Sequence, residues 1–93
     1  MTARNQTLEL KLQNLPTNPG VYLFLNAKGK TVYIGKAKNL RNRVRTYFQS
    51  SGPVAERIRR MVAQVTDLDL IVTENEIESL ILEANLVHEH RPR

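Results

Sequence analysis

A chain of 93 residues suffices for one small domain with one modest core, and not for two. It is 41% apolar, yet no run approaches the roughly 18 to 20 apolar residues of a membrane span, and Met1-Thr2-Ala3-Arg4-Asn5-Gln6 lacks the apolar stretch of a secretory leader, so a soluble, cytoplasmic protein without a membrane partner is expected. The absence of cysteine excludes disulfides and thiolate zinc sites and leaves oxygen or imidazole for any metal, while a net charge of +5 suits a polyanionic partner.

Leu8, Leu12 and Leu15 recur at helical spacing and predict a short helix over residues 7–14, stopped by Pro16 and the turn-rich Thr17-Asn18-Pro19-Gly20. Residues 1–15 are then a helical lead-in to the single domain. Two strands follow, residues 20–25 and 31–36. The intervening Asn26-Ala27-Lys28-Gly29-Lys30 suits a hairpin with Gly29 at positive φ. If Val21, Leu23 and Leu25 line one face of the first strand, and Val32 and Ile34 the matching face of the second, the period of two turns Tyr22 and Tyr33 together onto the other face.

Beyond Gly35 the pattern becomes helical, with Leu40, Val44 and Phe48 on one stripe and Arg43 and Tyr47 along its border. Ser50-Ser51-Gly52-Pro53 ends that region. A second amphipathic helix, from Val54 to about Val65, carries Ile58, Met61, Val62 and Val65 inward and Arg57, Arg59 and Arg60 outward. Residues 67–72 read as a third strand, and Thr73-Glu74-Asn75-Glu76 has the form of a capping box opening a helix that runs to about His90. The order implies an α+β fold, a small three-stranded antiparallel sheet flanked by helices.

Charge is spread unevenly. From Lys36 to Arg60, eight basic residues stand against the single acid Glu56, a stretch able to track a phosphate backbone. From Thr66 to His90 there are seven acids and no Lys or Arg. Glu83 is the most telling of them. Its helical neighbours include Leu80, Leu86 and Val87, among which a carboxylate is costly unless paired or bound to metal. The other acids have local explanations: Glu76 closes the capping box, Glu74 and Glu78 meet the helix dipole, and Asp67 and Asp69 begin a strand.

All three tyrosines, Tyr22, Tyr33 and Tyr47, fall on one predicted region next to Arg43. A phenol becomes a general base when a cation such as Lys36 or Arg43 favours its ionised form. Arg43, beside the stripe of Leu40 and Val44, is expected to face inward more than Arg41 or Arg45. Gly35-Lys36 lacks the flanking residues of a phosphate loop, and His88-Glu89-His90 reads as a helix end, because side chains two apart diverge on a helix.

Gly20-Val21-Tyr22, then Tyr33-Ile34-Gly35-Lys36-Ala37-Lys38-Asn39-Leu40-Arg41-Asn42-Arg43-Val44, then Tyr47-Phe48, and finally Leu82-Glu83-Ala84-Asn85-Leu86 with Arg91-Pro92, resemble the GIY-YIG nuclease family. The likeness is greatest to the incision nucleases of bacterial nucleotide excision repair and covers residues 13–93. Val21 stands where the family name has Ile, an aliphatic swap. The resemblance implies a metal-dependent endonuclease that makes the 3′-side incision by phosphodiester hydrolysis. Tyr33 would act as general base on the attacking water, with Lys36 relaying. Glu83 would hold one divalent metal, magnesium or manganese, and Arg43 would stabilise charge developing on the phosphate. Tyr22 and Tyr47 would position water or phosphate, and Gly35 would let the backbone approach closely. Lys38, Arg41, Arg45, Arg57 and Arg60 remain as charges that position the DNA backbone.

The family also uses an asparagine shortly after Arg-Pro, a position past Arg93 and distinct from Asn85, so weak activity is expected of this stretch alone. Full-length relatives carry a second nuclease domain, a segment that binds the damage-recognition helicase, and DNA-binding hairpins. The chain is accordingly expected to be a monomeric fragment of a longer protein. Damaged DNA would be its partner, with the helicase bound through parts outside this sequence. Two other readings stay open. A non-catalytic basic nucleic-acid-binding module would survive loss of Glu83 but not salt above about 200 mM. A homing or restriction GIY-YIG nuclease would cut a specific sequence without repair partners.

Overall fold

A computed structural model describes residues 6–48 and 56–90, comprising α1 (Gln6–Gln13), β1 (Gly20–Leu25), β2 (Thr31–Ala37), α2 (Leu40–Phe48), α3 (Glu56–Ala63), β3 (Asp67–Val72) and α4 (Glu76–His90). β1 is apolar or aromatic at every position after Gly20, and it takes the one place in the sheet where both faces are covered. The strand order is β2-β1-β3, antiparallel throughout. On one face Tyr22 and Phe24 pack with Leu8, Leu12 and Leu15, with Leu40 and Val44 of α2, and with Val65 and Leu68. On the other face Val21, Leu23 and Ile34 receive Leu82 and Leu86 of α4. The expected α+β fold, a three-stranded antiparallel sheet flanked by helices, is therefore found. No helix among the described residues is long and apolar enough to cross a membrane.

The hairpin forms as its turn residues dictate. Asn26 Oδ1 accepts the N–H groups of Lys28 and Lys30, each at 3.0 Å, and Gly29 adopts φ 78°. Strict alternation fails at one point. Phe24 pairs with Tyr33 while Leu25 pairs with Thr31, so Val32 is an extra residue at a bulge. It packs on the tyrosine side of the sheet, not with Ile34 as its spacing predicts. Tyr22 and Tyr33 nevertheless share a face, because the slip lies on the turn side of both.

The second amphipathic helix, where described, buries nothing completely. Ile58, Met61 and Val62 are half-buried and Arg57, Arg59 and Arg60 exposed, whereas the buried Val65 lies past the helix end. The predicted breaker at 50–53, the helix start at Val54 and the Arg91-Pro92 pair lie outside the described residues. Asp67 does more than begin a strand. Lys11 Nζ donates to its Oδ1 at 2.8 Å and to the Leu68 carbonyl at 3.0 Å, tying α1 to β3, and the lysine holds the Asp67 carboxyl below its usual range.

The cap of α4 differs from the predicted frame. The Thr73 hydroxyl donates to the Asn75 carbonyl and its N–H to Pro19, so Thr73 closes a turn and caps nothing. Asn75 is the cap: its Oδ1 accepts the N–H of Glu78, while the Glu78 carboxylate accepts the N–H of Glu74, both at 2.8 Å. Glu76 is thereby freed. Asn75→Ala is expected to cost about 1 kcal/mol, roughly 4–8 °C in melting temperature for a domain of this size, with Glu76→Ala near neutral. Thermal melts of the two variants side by side check the frame, and the reverse order of losses would restore the Thr73–Glu76 box.

Candidate active site

β2 is an edge strand, so side chains from both sheet faces can meet along it. Tyr22, facing Gly35 across β1–β2, and Tyr33, facing Phe24, stand on the same side with ring centroids 6.1 Å apart. Tyr47 comes from the last turn of α2, four residues after Arg43. Its hydroxyl accepts from Tyr22 and donates to Tyr33, each at 3.2 Å. Three phenols thus form one hydrogen-bonded chain from the buried Tyr22 to the half-exposed Tyr33.

Phe24, which the sequence pattern alone did not single out, is the hub of these rings. Its centroid lies 5.2 Å from that of Tyr22, 5.3 Å from Tyr47 and 6.0 Å from Tyr33, and it is fully buried. Its place two residues after Tyr22 on a strand was the available signal. Gly35 has a structural reason that differs from the expected one: a Cβ there would meet the Tyr22 ring and hydroxyl at 2.3 Å. The room that glycine leaves is taken by tyrosine.

From the other face, α4 brings the half-buried Glu83 close enough for its charge to act on Tyr33. Their separation in sequence is 50 positions. Tyr33 is pushed up to about 12, first by its hydrogen bond with Tyr47, then by burial and the charges of Tyr47 and Glu83, while Arg43 pulls the other way. Tyr22 is raised still further, chiefly by burial and then by Tyr47. Arg43 favours ionisation as expected, but it is outweighed by the Tyr47 hydrogen bond and by burial, so both phenols are raised.

Arg43 is exposed and Arg41 is the half-buried one, its Nε donating to the Leu15 carbonyl at 3.0 Å, so the expected inward preference is reversed. The reason is the packing of α1 beside the start of α2. Arg43 opens instead into a cleft of about 380 Å³ between β2, α2 and α4, shared with Lys36, Lys38, Asn39, Asn42 and Glu76. Lys36 pairs with Val21, three positions from Tyr33 and on the opposite side of β2. The side chains outside the tyrosine cluster whose charges act on Tyr33 are Glu83 and Arg43, so the Lys36 relay has no counterpart in the contacts. Arg45, Arg57 and Arg60 are exposed away from this cleft, with Arg60 set 3.4 Å from Glu56.

No cluster of three or more His, Asp or Glu able to hold a metal occurs among the described residues. No hydrogen bond or ion pair among them engages the half-buried Glu83 carboxylate, whose charge adds to the elevation of Tyr33. One unengaged carboxylate with hydroxyls nearby fits a hard cation that keeps most of its water, such as magnesium, and does not fit zinc. His88-Glu89-His90 gives only a 3.7 Å contact between Glu89 and His90 at the end of α4.

Residues 18–93 match the UvrC-like GIY-YIG domain family. The UvrABC system protein C of Caldicellulosiruptor saccharolyticus is 54% identical over 87 residues, 94% of this chain. That of Chlorobaculum tepidum is 52% identical over 92 residues, 99% of this chain. In both cases the chain spans 14% of the relative's length. The crystal structure of the GIY-YIG N-terminal endonuclease domain of UvrC from Thermotoga maritima, bound to its catalytic divalent cation magnesium, aligns with a TM-score of 0.82 at 43% identity, over 95% of this chain and 94% of that one. A tyrosine-to-phenylalanine form of that domain, also bound to its catalytic divalent cation, aligns with the same TM-score at 42% identity, over 95% and 94% of the two chains.

Proposed function

The chain belongs to the UvrC-like GIY-YIG domain family and is an endonuclease domain of that kind, and on this premise we propose that residues 1–93 form the single nuclease domain of a longer protein and make the 3′-side incision of nucleotide excision repair by phosphodiester hydrolysis. The observation that carries the proposal is the hydrogen-bonded chain Tyr22–Tyr47–Tyr33 at the β2 edge, with Glu83 and Arg43 near enough for their charges to act on Tyr33.

Tyr33, half-exposed and at the accepting end of the chain, takes the proton of the attacking water. Tyr47 and Tyr22 hold that hydroxyl in place, with Gly35 leaving room for the Tyr22 ring. Glu83 would hold the divalent metal, magnesium or manganese, which would supply Lewis-acid charge to the phosphoryl oxygens. Arg43, open to the cleft, stabilises charge on the phosphate, and Lys36 and Lys38 beside it seat the strand. Arg45, Arg57 and Arg60 contribute positive field at a distance, and the part of the Arg41 guanidinium not bound to Leu15 does the same. Damaged DNA is the substrate, delivered in the cytoplasm by the helicase partner UvrB through other parts of the full-length protein, with this domain acting as a monomer.

The full-length parent with its loading partners should nick a lesion-bearing duplex of random flanking sequence on the 3′ side in magnesium. It should leave the duplex intact in EDTA and spare undamaged DNA. Nicking that survives chelation sinks the metal requirement, and cutting at a fixed sequence regardless of the lesion reassigns the domain to a homing or restriction role.

A further inference from the structure

Four of the seven large apolar side chains exposed among the described residues, Ile77, Leu80, Ile81 and Val87, lie on α4, so they are grouped on one helix and not scattered. On α4, Ile77 is 70% exposed, Leu80 50%, Ile81 58% and Val87 40%. Their spacing of three, four and seven places them along one stripe, opposite the Ser79, Leu82 and Leu86 side that packs on the sheet. Glu78 and Glu89 lie along one border of this stripe and Glu76 along the other.

We infer that this stripe seats a segment of the same polypeptide located C-terminal to the nuclease domain in the full-length protein, a segment with apolar anchors bordered by Lys or Arg. Its curated relatives match this chain over only 14% of their length, and the similar solved domain is the N-terminal one, so most of such a protein lies beyond α4 in sequence. On the reading that the chain is one domain of a longer protein, polypeptide C-terminal to α4, the last described element, would leave from the helix that bears the stripe and so be present there at high effective concentration. DNA is a poor occupant, because residues 66–90 hold seven acids and no Lys or Arg. A second copy is disfavoured as well, since a two-fold contact would oppose the same carboxylates across the interface.

The test places Ile81→Cys in the full-length parent and in the 93-residue chain, and follows alkylation of that thiol by mass spectrometry, with Lys28→Cys in the hairpin turn as reference. The expected result is labelling of Ile81→Cys at least tenfold slower in the full-length protein, with Lys28→Cys equal in both. Hydrogen exchange of the unaltered proteins should agree, with the amides of residues 77–88 slower in the full-length chain. Equal rates at residue 81 overturn the inference. Slowing that appears in the 93-residue chain as its concentration rises assigns the stripe to a second copy, and slowing that requires added DNA assigns it to the substrate; either result also overturns it.

Discussion

Glu83→Gln is expected to lower magnesium-dependent nicking by the full-length parent about a thousandfold, a loss of roughly 4 kcal/mol of transition-state stabilisation, with the fold retained. The fold should tolerate the change because the carboxylate is half-buried, engages no hydrogen bond or ion pair among the described residues, and is replaced by a side chain of the same shape. A second readout separates this from a general loss of structure. Glu83 adds to an elevation of Tyr33 set mainly by the Tyr47 hydrogen bond and burial, so removing its charge should lower the phenol slightly, visible as a small advance of phenolate absorbance on alkaline titration. Undiminished nicking with that titration shifted would leave Glu83 beside Tyr33 but without the metal.

Tyr33→Phe should reduce the incision rate by roughly 10² to 10⁴ and change its pH dependence. Because the Tyr33 proton is held to about 12, the ionised fraction grows about tenfold per pH unit through the neutral and mildly alkaline range, and the rate should climb with it until another step limits. The phenylalanine variant should lose that slope. Stability follows the same sign. A phenol raised in the folded state above its unfolded value of about 10 stabilises fully below pH 10, and that contribution is lost as pH rises toward 12. The parent should therefore soften across that window more than the variant. Tyr22, raised as well, acts in the same direction in both proteins and so does not mask the difference. Melts at pH 9 and 11 test the stability half, and a variant cutting at the parental rate with the parental slope would remove Tyr33 from the role of base.

These outcomes depend on neighbours that the sequence shows only in part. The tyrosine pairing was legible because β1 and β2 are short, close in the chain and joined by a turn whose Gly29 and Asn26 chemistry leaves little choice of register near Tyr22. Glu83 was legible as a carboxylate at a place that desolvates it. Its proximity to Tyr33 was not, because 50 residues separate them and their approach depends on α4 settling across β2 and β1.

The remaining differences have the same origin in competition between local and distant partners. The predicted Thr73–Glu76 box and the observed Asn75–Glu78 cap are both locally acceptable. The choice falls to the Thr73 N–H, which is drawn to the Pro19 carbonyl at the edge of the sheet. Arg41 and Arg43 carry the same charge two positions apart, and the segment that follows α1 decides between them by offering the Leu15 carbonyl to Arg41. Val32 leaves its expected face because a bulge near the turn takes up one residue. By itself the sequence determined what periodicity and turn chemistry encode within a few residues: the hairpin, the third strand, the helices and the shared side of Tyr22 and Tyr33. The tertiary structure alone decided which arginine faces the cleft, which residue caps α4, why position 35 must lack a side chain and which carboxylate meets the phenol, because each is settled by a hydrogen-bond or packing partner far away in the chain.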